Sequence, residues 1–149
     1  MTINWKIRRF EALSVPELYS ILQLRSKVFV VEQNCVYQDI DGKDLKALHL
    51  IGECDEKIVA YARLFKSGDY FENASIGRVV IDPQYRDRNW GFEMMEQAIS
   101  GIERYFGETK ITISAQLYLQ KFYEKLGFVV SGDTYLEDDI PHIEMNRNA

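Results

Sequence analysis

The stretch DPQYRDRNWGFEMMEQAI, Asp82 to Ile99, sets two arginines, an asparagine and a glycine between an apolar run and an amphipathic one. That arrangement suits an anion. The first N–H groups of a helix have no partner within it and carry the positive end of its dipole, so a phosphate fits there. Arg86 and Arg88 would add charge. Asn89 can take the left-handed backbone that most residues avoid, and Gly91 would let backbone approach a ligand closely. The same residues also describe a solvated turn with its arginines in water.

A second group of chemistry-bearing residues is acidic. YQDIDGKD brings together Asp39, Asp41 and Asp44. It lacks the further oxygen ligands and the closing Glu of a calcium loop, so no metal is expected. These residues either bend the chain or form a negative entrance for a cationic amine. Arg63 and Arg78 fall inside strand-like runs. Arginine is rarely buried unless paired, so each is expected to face a cleft or to pair with Glu32 or a loop aspartate. Glu137, Asp138 and Asp139 in LEDDIPH read as a hairpin loop or a further acidic site. Cys35 and Cys54 form no CxxC and no disulfide framework. Both are expected as small buried apolar residues, in a reduced, cytoplasmic protein.

The elements that must position these residues follow from periodicity. WKIRRF reads as a first strand. SVPELYSILQLRSKVFVVEQ reads as a helix, opened by a Ser14/Glu17 capping box with Pro16 in its first turn. HLIGECDEKIVAYARLFKS reads as two strands joined by a tight turn at Asp55 and Glu56, and SIGRVVID as another strand. Phe92, Met95, Ile99, Ile102 and Phe106 share one face of a helix from Gly91 to about Phe106. KITISA is a strand. LYLQKFYEKLG is a short helix capped by Gly127, and FVVSGDTYL and IPHIEMNR close the chain as strands. Antiparallel hairpins precede one parallel β-α-β unit and a last hairpin. That order is α+β, a mixed α/β arrangement, and not the strict alternation of a doubly wound nucleotide fold.

At 149 residues, with 46% apolar and 28% charged residues, the chain suits one globular domain over 1–149. A net charge of −5 argues against nucleic-acid binding. No run of about 18 apolar residues is present to span a membrane, and no signal peptide opens the chain.

The order of elements and two motifs resemble the GCN5-related N-acetyltransferase (GNAT) superfamily. Arg86-Asp87-Arg88-Asn89-Trp90-Gly91 resembles that family's pyrophosphate turn, Arg/Gln-x-x-Gly-x-Gly/Ala, with Asn89 in place of its first glycine and Asp87 where many relatives have another. AQLYLQKFYEKLGFVV resembles its second signature. Together these span Ile76 to Val130. A narrower likeness, in LRSKVFVVEQNCVYQDIDGKDLKALHLIG, AYARLF, IGRVVI and DDIPHIEM, is to the bacterial ElaA group within it.

The resemblance implies a central, twisted, mostly antiparallel mixed sheet of about seven strands flanked by helices. It also implies acetyl-coenzyme A as cosubstrate, with no metal. The diphosphate would lie on the turn from Arg86 through Asp87, Arg88, Asn89, Trp90 and Gly91 to Phe92. The pantetheine arm would run beside the backbone of Val79, Val80 and Ile81, a backbone N–H near Val80 being the candidate oxyanion donor. Gln116 takes the place of an Asn that contacts the coenzyme, and Tyr123 that of a tyrosine near its sulfur. A phenol stays protonated at neutral pH and can serve as general acid; otherwise Tyr123 packs on a core face. Glu32, His49 and His142 are candidates for the general base, alongside proton loss through water. Glu32, Gln33, Tyr37, Asp39, Arg78 and His142 are candidates to bind the acceptor. The implied reaction transfers acetyl to a primary amine by direct attack on the thioester. The alternative is a non-catalytic coenzyme A-binding or sensor module. Homodimers are common in such a family.

Overall fold

The computed structural model describes residues 1–148. β1 (Asn4–Arg9) leads to α1 (Val15–Arg25), whose first turn closes with the expected reciprocal capping box between Ser14 and Glu17. The helix does not continue as α. From Ser26 to Glu32 it widens into a π-helical turn, with Gln33 N–H donating to the Val28 carbonyl and Cys35 N–H to that of Val30, each at 3.0 Å. The β-branched run around Val28–Val31 is a poor α former, and a widened turn re-aims the residues that follow it.

β2 (Leu48–Cys54) and β3 (Lys57–Phe65) form a hairpin. Asp55 and Glu56 have φ of 51° and 65°, the two left-handed residues that match a tight turn to the twist of its strands. β4 (Ala74–Ile81), α2 (Trp90–Phe106) and β5 (Ile111–Gln116) make the one parallel crossover among the described residues. α3 (Gln120–Glu124) follows. FVVSGDTYL is two strands rather than one. β6 (Val129–Val130) and β7 (Tyr135–Glu137) both pair with β8 (Ile140–Arg147), and Gly132 between them has φ of 87°. The sheet therefore has eight strands among the described residues, in the order β1-β2-β3-β4-β5-β8-β6, with β7 on β8.

Two apolar layers hold the sheet. On one face Met94, Met95, Ala98 and Ile102 of α2 pack on Leu50, Leu64, Ile76, Ile113 and Met145, with Phe92, Ile99 and Phe106 partly buried beside them. On the other, Ile21, Leu24 and Val28 cover Ile51, Tyr61 and Val80. Among the described residues no helix is long and apolar enough to cross a membrane.

Two irregularities in β4 position the site. First, Arg63 pairs with Gly77 while Tyr61 pairs with Val80, so β4 carries one extra residue at Arg78–Val79. Arg78 has φ of 50° there. A bulge of this kind bends its strand and redirects its side chains. Second, β4 and β5 pair only at Ala74–Ile111 and Ser75–Thr112, although β4 runs on to Ile81 and β5 to Gln116. Beyond those pairs the strands part, and the facing backbone edges carry unpaired N–H and C=O groups.

Candidate active site

A cavity of about 470 Å³ opens where β4 and β5 diverge. Val79, Val80, Ile81, Arg78 and Gly91 line it from the β4 side, and Gln116, Tyr123 and His142 from the β5–β8 side. Gln33 and Tyr37 reach it from the loop after the π turn, and Arg86 from the turn before α2. Most of the residues singled out in the sequence thus meet in one place. Glu32, His49 and Asp39 do not line it, and neither do the side chains of Asp87, Arg88, Asn89, Trp90 and Phe92.

The turn before α2 is built from left-handed residues. Asp87 has φ of 65° and Asn89 of 62°, so the two positions where the family favours glycine keep a glycine-like backbone. Asp and Asn tolerate that region better than other side chains. Asn89 is the N-cap of α2, and its side chain makes no capping hydrogen bond. The first N–H groups of α2 therefore lack a side-chain partner and point outward. Gly91 leaves room beside them, since an added Cβ would meet only Phe122 Cζ, at 3.7 Å.

The side chains of this turn are less free than the sequence suggested. Arg86 is bonded by Glu32 and also donates from Nε to the Ile81 carbonyl at 3.1 Å. Arg88 donates to the Arg86 carbonyl at 3.3 Å and lies 5.6 Å from the Trp90 ring centre. Trp90 packs inward with Cys54 and Val59, and Phe92 packs on the main core.

Among the titratable candidates, Tyr123 is 6% exposed, and burial raises its pKa above the ordinary tyrosine value. His142 Nδ1 lies 2.7 Å from the Ile140 carbonyl oxygen. A carbonyl only accepts, so Nδ1 carries the proton and Nε2 of the neutral ring holds a lone pair. Glu137 Oε2 lies 3.7 Å from that Nε2. His49 does not fit the base role. It is 1% exposed, its Nδ1 accepts from Tyr61 O–H at 2.6 Å, and its Nε2–H donates to the Asp44 carbonyl at 2.9 Å. Burial lowers its pKa, which keeps it neutral. Glu32 is half exposed, and the hydrogen bonds from Arg86 lower its pKa. That makes it a counter-ion rather than a proton acceptor.

The acidic loop is not a negative entrance. Arg25, 0% exposed, donates from Nε to Asp39 at 2.9 Å and from Nη1 to Asp44 at 2.8 Å. Arg63 takes Asp41 through both Nη atoms, at 2.9 and 2.7 Å, and shares Asp44 at 3.0 Å. Arg78 Nε lies 2.7 Å from Asp39 Oδ1, without the alignment of a hydrogen bond. Tyr37 donates to Asp39 at 3.0 Å. Arg63 and Arg78 thus find the pairing expected of them, and Asp39 acts by holding Arg25, Arg78 and Tyr37. Arg25 was legible only as one more position in a helix. Ser114 and Glu137 also line the cavity, bonded to each other at 3.3 Å. Cys54 is buried, but Cys35 is only half-buried and lines the cavity mouth.

Known proteins share this architecture. The acetyltransferase (GNAT) domain family matches residues 18–149. Protein ElaA of Escherichia coli K12 is 42% identical over 149 residues, covering 99% of this chain and 97% of its own. Its crystal structure superposes with a TM-score of 0.92, covering 99% of this chain and 100% of that one. The crystal structure of an acyl-CoA N-acyltransferase from Pseudomonas aeruginosa gives 0.93 at 42% identity, covering 98% and 99%. The PaiA N-acetyltransferase of Thermoplasma acidophilum, solved in complex with coenzyme A, shares the fold at a TM-score of 0.71 and 16% identity, with all of both chains covered. With a parted β4–β5 pair, an open helix N-terminus and these relatives, the chain belongs to the acetyltransferase (GNAT) domain family.

Proposed function

We propose that residues 1–149 form a single domain that takes acetyl from acetyl-coenzyme A and passes it to a primary amine by direct attack on the thioester. One observation carries this reading: the gap between β4 and β5 runs into the uncapped start of α2. Unpaired strand edges suit the amide-bearing pantetheine arm, and free helix N–H groups suit its diphosphate. The complex of a protein of the same fold with coenzyme A supports the fit.

The residues divide the work by chemistry. His142 Nε2 takes the proton of the attacking ammonium. The amine nitrogen then bonds to the carbonyl carbon while a backbone N–H near Val80 supports the developing oxyanion. The carbon–sulfur bond breaks. Tyr123, held protonated by burial, donates to the departing thiolate, whose own proton affinity the same burial raises.

The test is thiol release from acetyl-coenzyme A against a panel of amines, peptides and polyamines, together with a soaked crystal to locate the diphosphate. Acceptor-dependent thiol release, with the diphosphate at residues 86–92, is expected. Coenzyme binding with no acceptor raising thiol release favours the sensor module instead.

A further inference from the structure

Gly77 faces the same side of the sheet as two polar residues. Its antiparallel partner is Arg63, and Ser75 stands two residues before it, opposite Phe65. Paired residues and next-but-one residues share a face of a strand. That face is the one away from α2, because Ala74, Ile76, Ala62 and Leu64 point into the α2 core. Gly77, Arg63, Ser75 and Phe65 all line the cavity.

Nothing in the fold uses the missing side chain at Gly77. Its φ is not in the left-handed region, and an added Cβ would meet no atom within 4 Å. Gly52, in the same sheet, is the contrast: a Cβ there would lie 2.6 Å from Trp5. The space over Gly77 is therefore open cavity that no side chain fills.

The polar groups beside that space lack partners. Ser75 Oγ and Arg63 Nε are both buried without a hydrogen bond, in residues 2% and 1% exposed. Each can donate to an oxygen, and leaving buried donors unpaired is costly. Charge decides what kind of oxygen. Arg25, Arg63 and Arg78 are already matched by Asp39, Asp41 and Asp44. A carboxylate placed here would be an uncompensated negative charge in a desolvated site, whereas a carbonyl oxygen adds none. The walls are aromatic, with Phe65 and Tyr70 stacked at 5.1 Å.

We infer that the end of the acceptor away from its amine lies over Gly77 and carries an uncharged carbonyl oxygen on an apolar body, as in an apolar amino-acid amide or a peptide N-terminus. This rests on the transferase reading above. The test titrates leucinamide and phenylalaninamide, and the matching free amino acids, into the full chain saturated with coenzyme A. Amides are expected to bind about tenfold more tightly than the acids, and Gly77→Val to weaken amide binding about tenfold while coenzyme affinity changes less than about twofold. Ser75→Ala is expected to weaken amide binding about threefold. Gly77→Ala replaces the valine variant if that melts below the wild type. Acids that bind as well as amides, amides that do not bind, or a Gly77 variant that binds them like the wild type would overturn the inference. Amide binding of the expected pattern without acetyl transfer sinks the transferase reading and leaves the subsite standing. Transfer that ignores the amide sinks the subsite alone.

Discussion

Arg86 grips Glu32 with both terminal nitrogens, each 2.7 Å from a carboxylate oxygen. The pair ties the end of the π turn to the turn that opens α2, and it sets a negative charge beside the proposed diphosphate site. Glu32→Gln is expected to tighten coenzyme binding about threefold and Arg86→Ala to loosen it about tenfold, with both effects shrinking in salt. Calorimetric titration at two ionic strengths measures this. If Glu32 were the base, Glu32→Gln would abolish transfer; its kcat is expected to change less than about twofold. The hydrogen bonds from Arg86 lower the Glu32 pKa, so the pair's contribution is present above the ordinary Glu value of about 4.3. It is lost only as pH falls through the lower folded value.

Tyr123 lines the cavity and stays protonated through burial. Tyr123→Phe keeps the packing against Phe122 and Phe128 and removes only the donor. Turnover with the best acceptor is expected to fall about 100-fold, with coenzyme affinity changed less than about twofold. Steady-state kinetics paired with equilibrium titration separates the two. An unchanged kcat removes Tyr123 from the chemistry.

The cluster of Arg25, Arg63 and Arg78 with three aspartates anchors the loop that carries Tyr37 to the cavity. Arg25→Met leaves Asp39 and Asp44 short of a buried partner and is expected to cost about 3 kcal/mol in urea unfolding. For Asp41 and Asp44, burial is the largest single influence and pushes the pKa up, but the hydrogen bonds and charges of the surrounding arginines, with the Lys43 N–H at Asp41, together outweigh it and leave both below the ordinary value. Their contribution is complete above the unfolded Asp value of about 3.9 and is lost as pH falls through the folded values. The melting temperature is therefore expected to hold from about pH 7 to 5 and to drop below about pH 4, less steeply in Asp44→Asn. An equal acid slope in Asp44→Asn counts against this account.

What was legible in the sequence was local. The Ser14/Glu17 box, the Asp55–Glu56 turn, the left-handed Asn89 and the α2 face are each decided within a few residues. The misses are of another kind. Arg25 meets partners 14 and 19 positions away. No periodicity marks such pairs, so Arg63 and Arg78 could be expected to seek a loop aspartate while Arg25, the third arginine of the cluster, could not. The bulge at Arg78 and the break between β6 and β7 depend on the neighbouring strand, as register always does. His49 and His142 cannot be told apart by residue type. Each has one ring nitrogen on a backbone carbonyl, and only the other nitrogen separates them: in His49 it is taken by Tyr61 O–H, and in His142 it keeps a lone pair 3.7 Å from Glu137.

The two glycines of α2 give opposite expectations. Gly101 is buried inside the helix, and an added Cβ would lie 2.6 Å from Ile7 Cδ1 and 3.5 Å from Leu64 Cδ1. Overpacking there costs about 1–3 kcal/mol, against about 1 kcal/mol gained in helix propensity. Gly101→Ala should therefore lower stability and leave coenzyme affinity alone. Gly91 stands at the second position of the helix with only Phe122 nearby, at 3.7 Å. Gly91→Ala should hold or slightly raise the melting temperature, yet weaken coenzyme binding about tenfold, because the methyl group would occupy the approach to the free N–H groups. Thermal melts and coenzyme titrations on both variants form a crossed pair that no general loss of folding can mimic. A Gly91→Ala protein that binds coenzyme A like the wild type would mean that the diphosphate does not sit on this turn.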